Sequence, residues 1–183
     1  NDTAKPFVEP LAREAGSSLL LPCDVSRPGQ LETVFETIER EWGRLDFLLH
    51  SIAWARKEDL HGRLTDCSAD GFAQSMLAEP LMDKGGSLIT LSFYGAEKVV
   101  DHYNVMGPVK AALEASVRYL AHEHGKKSIR VNAISAGAVA TRAASGLQHF
   151  DELLNETRRS APLRRTVEAS EVGRTALILA SDY

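Results

Sequence analysis

Short apolar runs with almost no polar alternation, separated by longer stretches of helical periodicity, constrain this chain more than any other feature. The runs are SLLLP at 18–22, DFLLH at 46–50, SLITL at 87–91 and a fourth at 129–134. A strand with one face in water alternates polar and apolar residues, whereas a strand covered on both faces does not. Between the runs lie helix-like segments. Residues 2–15 read as a helix with Pro6 near its first turn and Gly16 as its stop. Leu31, Val34, Phe35, Ile38 and Trp42 fall on one helical face, with Pro28 before it and Gly43 beyond it. A long helix lies within 103–124, and a last one covers 172–180. Alternating strands and helices, with the strands buried, predict an α/β fold built on a doubly wound parallel sheet.

With 183 residues, 44% hydrophobic and 25% charged, the chain can bury a core as a single domain over 1–183. A net charge of -4 gives no electrostatic reason to expect nucleic acid. No apolar run is long enough to span a bilayer, and the start does not resemble a secretory signal. Cys23 and Cys67 form neither a disulfide framework nor a metal-ligand pair, as suits reduced thiols in a cytoplasmic protein. His122 and His124 are two apart and would point in different directions on a helix, so no metal is expected there. The chain opens on a helix and stops straight after one. It therefore reads as the ordered part of a longer protein, lacking its first strands, their glycine-rich turn and its last strand.

In open α/β sheets a ligand lies outside the carboxyl ends of the strands. Here those ends run into Cys23-Asp24-Val25-Ser26, Ser51-Ile52-Ala53, Ser92 and Ser135-Ala136-Gly137. Small residues let a ligand approach the backbone, and polar ones offer hydrogen bonds. Asp24 could accept from an adenine amino group or cap the following turn; turns favour Asp in any case. Tyr103 and Lys110 form a Tyr-x6-Lys pair. On a helix that spacing is nearly two turns, so both side chains would emerge on one face. An ammonium beside a phenol favours the phenolate and eases hydrogen bonding to a developing oxyanion. The plainer alternative is a partly buried Tyr and a solvated Lys. Pro108 cannot donate to Asn104, so the helix either starts late or kinks. Arg158, Arg159, Arg164 and Arg165 could attract an acidic partner or simply end a solvated helix.

Strand-end Asp-Val, a strand-end tripeptide, Ser and then Tyr-x6-Lys is the order found in short-chain dehydrogenases/reductases, which have Rossmann-type folds. Within them, HSIAWA at 50–55, YGAEKVVDHYNVMGPVKAALEASVRYLA at 94–121, IRVNAISAG at 129–137, TRAASG at 141–146 and PLRRTV at 162–167 resemble the enoyl-acyl-carrier-protein reductases. The resemblance covers nearly the whole chain. It implies hydride transfer from a reduced nicotinamide to the β-carbon of a trans-2-enoyl thioester in fatty-acid synthesis. Tyr103 would hydrogen-bond the thioester oxygen, and Lys110 would bind the nicotinamide ribose. Asp24 and Val25 would border the adenine, with Ser51, Ile52 and Ala53 beside the cofactor's middle. Val139, Ala140, Thr141, Arg142 and Ala143 would pass the pyrophosphate and nicotinamide. Ala55, Phe93, Met106, Ala143, Ala144 and Phe150 would line the acyl pocket, three of them on a mobile substrate-binding segment. NADH is the implied cofactor, with NADPH also open. The implied partner is an acyl-carrier-protein-bound enoyl substrate, and the implied assembly a homotetramer.

The chain also departs from that pattern. Phe93 stands where these reductases commonly have a second tyrosine, and Ala138 where they often have proline. A helical stretch of about a dozen residues, three turns, is missing between Met76 and Leu77. Two other functions follow from the same residues: a ketoreductase-type enzyme with Ser92 orienting a carbonyl, or a non-catalytic dinucleotide-binding homologue.

Overall fold

The computed structural model describes residues 4–24, 27–51, 82, 85–141 and 149–182. They fall into two compact units that meet in sequence between Leu45 and Asp46.

The first unit carries α1 (Lys5–Glu14) and α2 (Gln30–Trp42). Pro6 occupies the first turn of α1, where a missing N–H leaves no helical bond unmade. The helix ends on Gly16, whose φ of 67° lies in the left-handed region. From there the Gly16 N–H reaches the Arg13 carbonyl at 3.0 Å and the Ser17 N–H reaches Ala12 at 2.8 Å, closing a Schellman motif. Leu31, Val34, Phe35 and Ile38 are half-buried along one face of α2. Trp42, expected on that face, is 52% exposed. The strand expected at 18–22 does not form. A strand must hand its backbone groups to a neighbouring ladder, and among the described residues no strand pairs with this segment. It is tied locally instead: Ser17 Oγ donates to the Leu19 carbonyl at 3.0 Å, and the Asp24 N–H to Gln30 Oε1 at 2.7 Å.

The second unit holds a parallel sheet of β1 (Phe47–His50), β2 (Gly86–Ser92) and β3 (Ile129–Ser135), in that spatial order. Register pairs His50 with Thr90 and Ser92 with Ser135, so the carboxyl ends of neighbouring strands lie side by side. Three helices follow in the chain: α3 (Met106–His124) between β2 and β3, then α4 (Phe150–Ser160) and α5 (Ala169–Ala180).

Side chains alternate across a sheet, and β2 uses both of its faces. Ser87, Ile89 and Leu91 face α5. Ile89 and Ile134 are buried with Ala176 of α5, and Leu91, Val172 and Leu179 pack around them. Burial of each isoleucine contributes about 1.5–3 kcal/mol. The α5 terminus is fastened too, because Ser87 Oγ and Arg130 both donate to the Leu179 carbonyl at 2.7 Å. On the opposite face Ser92 donates its hydroxyl to Glu114 of α3. Strand β2 is thus covered on both sides, whereas β1, expected to be buried as well, leaves Phe47 50% and Leu49 41% exposed among the described residues.

Helix α3 begins at Met106, which places Pro108 in its first turn and removes any need for a kink. Tyr103 consequently precedes the helix. It lies in an irregular segment flanked by His102 (φ 63°) and Asn104 (φ 43°). The expectation that Tyr103 and Lys110 share a helical face is corrected here. Helix α4 covers a stretch that the sequence offered only as an arginine-rich end. Arg159 pairs with Glu156 at 2.6 Å on its exposed surface.

Candidate active site

The site is built where β1, β2 and the start of α3 converge. Lys110 projects from the second turn of α3, and its Nζ donates to the Leu91 carbonyl at 2.7 Å, next to the end of β2. Burial pushes the ammonium below its ordinary range, and the Glu114 carboxylate, one turn further along α3, offsets part of that effect. Glu114 also accepts from Ser92, which is 5% exposed. His50, at the end of β1, sits 3.3 Å from Thr90 Oγ1 and is held toward its neutral form by burial and then by Lys110. Glu114 thus fixes Ser92, Lys110 fixes the Leu91 carbonyl, and His50 and Thr90 hold each other at the same strand ends.

Tyr103 is 8% exposed. Its ring lies 4.6 Å from that of Phe93, tilted by 54°. Gly95, of the 3-10 turn Tyr94–Ala96, stands beside both rings; a Cβ there would lie 2.5 Å from the Tyr103 ring and 3.3 Å from that of Phe93. The Tyr103 carbonyl accepts from the Met106 N–H at 3.1 Å, joining the segment to the start of α3. Burial raises the phenol to about 12. This corrects the expectation of a phenolate favoured by Lys110: loss of water governs Tyr103, and the side chain stays a neutral O–H donor. Tyr103 also lines a cleft of about 390 Å³, together with apolar Val99, Val100, Phe150 and Leu153 and with charged groups that include Asp101, Glu156 and Arg159.

The structure thus gathers Phe93, Tyr103, buried Met106 and Lys110 around the start of α3, and brings Phe150 to the Tyr103 cleft. Ser51 follows β1 directly and is exposed; Val139 is half-buried, while Ala140 and Thr141 are exposed beyond β3. Asp24 belongs to the first unit, where its carboxylate lies 3.4 Å from Arg27 and its carbonyl accepts from the Arg27 N–H at 2.9 Å. That is turn-forming geometry. Val25, Ile52, Ala53, Ala55, Arg142, Ala143 and Ala144 lie outside the described residues, as does the expected gap between residues 76 and 77. Glu114 and the His50–Thr90 pair were missed in the sequence. The spacing of Lys110 and Glu114, one helical turn, was the available signal.

A dinucleotide fits this edge of the sheet. Small strand-end residues stand in register, Gly137 adopts φ 73°, and a half-buried ammonium is fixed beside them. The family model of enoyl-(acyl carrier protein) reductases matches residues 1–183. The chain is 49% identical over 193 positions to enoyl-(acyl-carrier-protein) reductase (NADH) 1 of Rhizobium meliloti, covering 99% of this chain and 71% of that protein. It is 48% identical to the NADH enzyme FabI of a Nostoc species, over 96% of this chain and 71% of that one. Among solved structures, the Anaplasma phagocytophilum enoyl reductase in complex with NAD superposes with a TM-score of 0.88 at 49% identity, covering 100% of this chain and 74% of that one. The Aquifex aeolicus NADH-dependent enzyme gives 0.91 at 40% identity, over 100% and 76%.

Proposed function

The chain belongs to the enoyl-acyl-carrier-protein reductases, and from that premise we propose how its own residues divide the work of the reaction. The activity is reduction of the carbon–carbon double bond of a trans-2-enoyl thioester during fatty-acid synthesis. NADH supplies the hydride. The single observation that carries the division of roles is Tyr103, buried and neutral in the wall of the cleft.

Hydride addition at the β-carbon drives negative charge onto the thioester oxygen, and protonation of the α-carbon then completes the reduction. A phenol raised to about 12 keeps its proton and donates a hydrogen bond to that oxygen as the charge develops. Lys110, anchored on Leu91, holds the hydroxyls of the nicotinamide ribose and adds positive potential near the reacting atoms. Glu114 favours the charged form of Lys110 against the effect of burial. Phe93 has no hydroxyl to offer; it fixes the Tyr103 ring and excludes water. Met106 and Phe150 contribute apolar surface to the acyl pocket. Ser51 and the segment Val139, Ala140, Thr141 border the cofactor beyond the strand ends, with Val25, Ile52, Ala53, Arg142 and Ala143 completing its site and Ala55 and Ala144 the pocket. Asp24 borders the adenine while keeping its turn.

Tyr103→Phe is expected to lower kcat by about 100- to 1,000-fold, or about 2.7–4 kcal/mol, with cofactor affinity little changed. Lys110→Ala is expected to weaken NADH binding as well as turnover. Steady-state kinetics with fluorescence titration of NADH separates the two. Equal loss of cofactor affinity in both variants would contradict the assignment.

The partner is an enoyl chain carried by acyl carrier protein, and we place the enzyme in the cytoplasm; among the described residues no helix is long and apolar enough to cross a membrane. Alignment with the Rhizobium meliloti enzyme runs over 193 positions against a chain of 183 residues, so that relative carries residues this chain lacks. This supports an internal gap, which we place between residues 76 and 77. A homotetramer is the proposed assembly. Tyr119 of α3 is 78% exposed, and Leu177 and Ile178 of α5 are 69% and 66% exposed, leaving apolar surface that assembly would cover.

A further inference from the structure

Two imidazoles and a carboxylate meet at the rim of the Tyr103 cleft, and nothing in the reductase reaction uses them. His102 comes from the segment before α3, His149 is the residue immediately before α4, and Glu152 lies in the first turn of α4. The two rings are stacked with centroids 4.4 Å apart and 29° between planes. His149 Nδ1 lies 2.8 Å from Glu152 Oε1. One candidate ligand atom from each of the three residues falls within 4.8 Å of the others, and all three side chains are exposed. A His–Glu pair three residues apart at the start of a helix is ordinary. It does not account for His102, which arrives from a different element. Both histidines also hold left-handed backbone, with φ of 63° and 58°, and such conformations in residues other than glycine cluster at ligand clamps.

We propose that His102, His149 and Glu152 form a binding site for a divalent transition ion of the Zn²⁺ type, poised to close the cleft. Two imidazole nitrogens and one carboxylate oxygen suit Zn²⁺, Ni²⁺ or Cu²⁺ and disfavour Mg²⁺ and Ca²⁺, which take all-oxygen shells. Ligand atoms around tetrahedral Zn²⁺ stand about 3.4 Å apart, as its bond lengths of about 2.1 Å require. Exposed side chains can make up the remaining distance by rotation. Water completes the coordination. His102 is bonded in sequence to Tyr103, and His149 to Phe150. An ion joining them ties the Tyr103 segment to the start of α4 across the entrance to the cleft, and so slows substrate entry. That consequence rests on the reductase reading; the binding itself does not.

The test is calorimetric titration of ZnCl₂ into the chelator-treated protein, with neither NADH nor thioester present. One Zn²⁺ per chain is expected, with affinity weakened more than about tenfold in His102→Ala and in His149→Ala, since even outer-shell changes cost about 10- to 100-fold at metal sites. Mg²⁺ should not compete. Absence of Zn²⁺ binding, or binding undiminished in both variants, would overturn the site. His102→Ala leaves Tyr103 in place, so it should retain turnover of an enoyl thioester in chelator while losing the inhibition by Zn²⁺ seen in the parent. Zn²⁺ bound at these residues with turnover unchanged would overturn the closure alone.

Discussion

Tyr103 is withdrawn from water by Phe93, Gly95 and the start of α3, and that withdrawal decides its chemistry. Its ionisation is pushed up to about 12. Below pH 10 the phenol carries its proton in both folded and unfolded chains and contributes no pH dependence. Between about 10 and 12 the unfolded chain loses the proton first, so the folded state binds more protons and stability falls as pH rises. The same sign holds for catalysis: kcat is expected to show no Tyr103-dependent loss on the alkaline side until above about pH 10. Comparing pH–rate profiles of the parent and Tyr103→Phe checks this; a limb near pH 8 that vanishes in the variant would contradict it. At this scale the sequence was legible in part. Tyr-x6-Lys drew attention to Tyr103 and Lys110 for a geometric reason that fails, because helical spacing is meaningless when one partner lies outside the helix. Burial of Tyr103 depends on how its irregular segment folds back onto Phe93 and Gly95, which helical spacing cannot carry. Ser92 shows the same limit. Its hydroxyl is donated to Glu114 rather than aimed at a substrate carbonyl, which removes the structural basis for a ketoreductase role.

Among elements, β2 was readable because burial on both faces erases polar alternation, β1 carries the same apolar pattern with Phe47 and Leu49 exposed, and helices α1, α2 and α5 were readable because their periodicity is local. Residues 18–22 carry the same apolar signal but form no strand, since composition alone cannot supply a ladder. The late start of α3 followed from Pro108, whose missing N–H is harmless only in a first turn. The short 3-10 turn Tyr94–Ala96 gave no signal of its own, yet it packs against the Tyr103 ring. A Cβ at Gly95 would meet Tyr103 ring carbons at 2.5 and 2.8 Å, inside any tolerable contact. Gly95→Ala is therefore expected to displace the ring and lower kcat by at least about tenfold, since small misplacements of reacting groups cost up to about 100-fold. Measured kcat in this variant, with NADH affinity as the control, tests the point; unchanged turnover would show that the ring is free to shift.

For the molecule as a whole, the proposal joins the sheet edge, the anchored Lys110 and the buried Tyr103 in one reductive site, and exposed apolar residues of α3 and α5 suit the proposed assembly. Sedimentation velocity is expected to give a species of four chains; a monomer across the working concentration range would contradict that assembly. The central claim is that this site reduces a carbon–carbon double bond conjugated to a thioester. Its most direct test is the NADH-dependent rate of the full-length protein on crotonyl and acetoacetyl thioesters of one carrier. Rapid crotonyl reduction that collapses in Tyr103→Phe, with acetoacetyl left unreduced, is the expected result. Reduction of the acetoacetyl thioester in preference to the crotonyl one would contradict it.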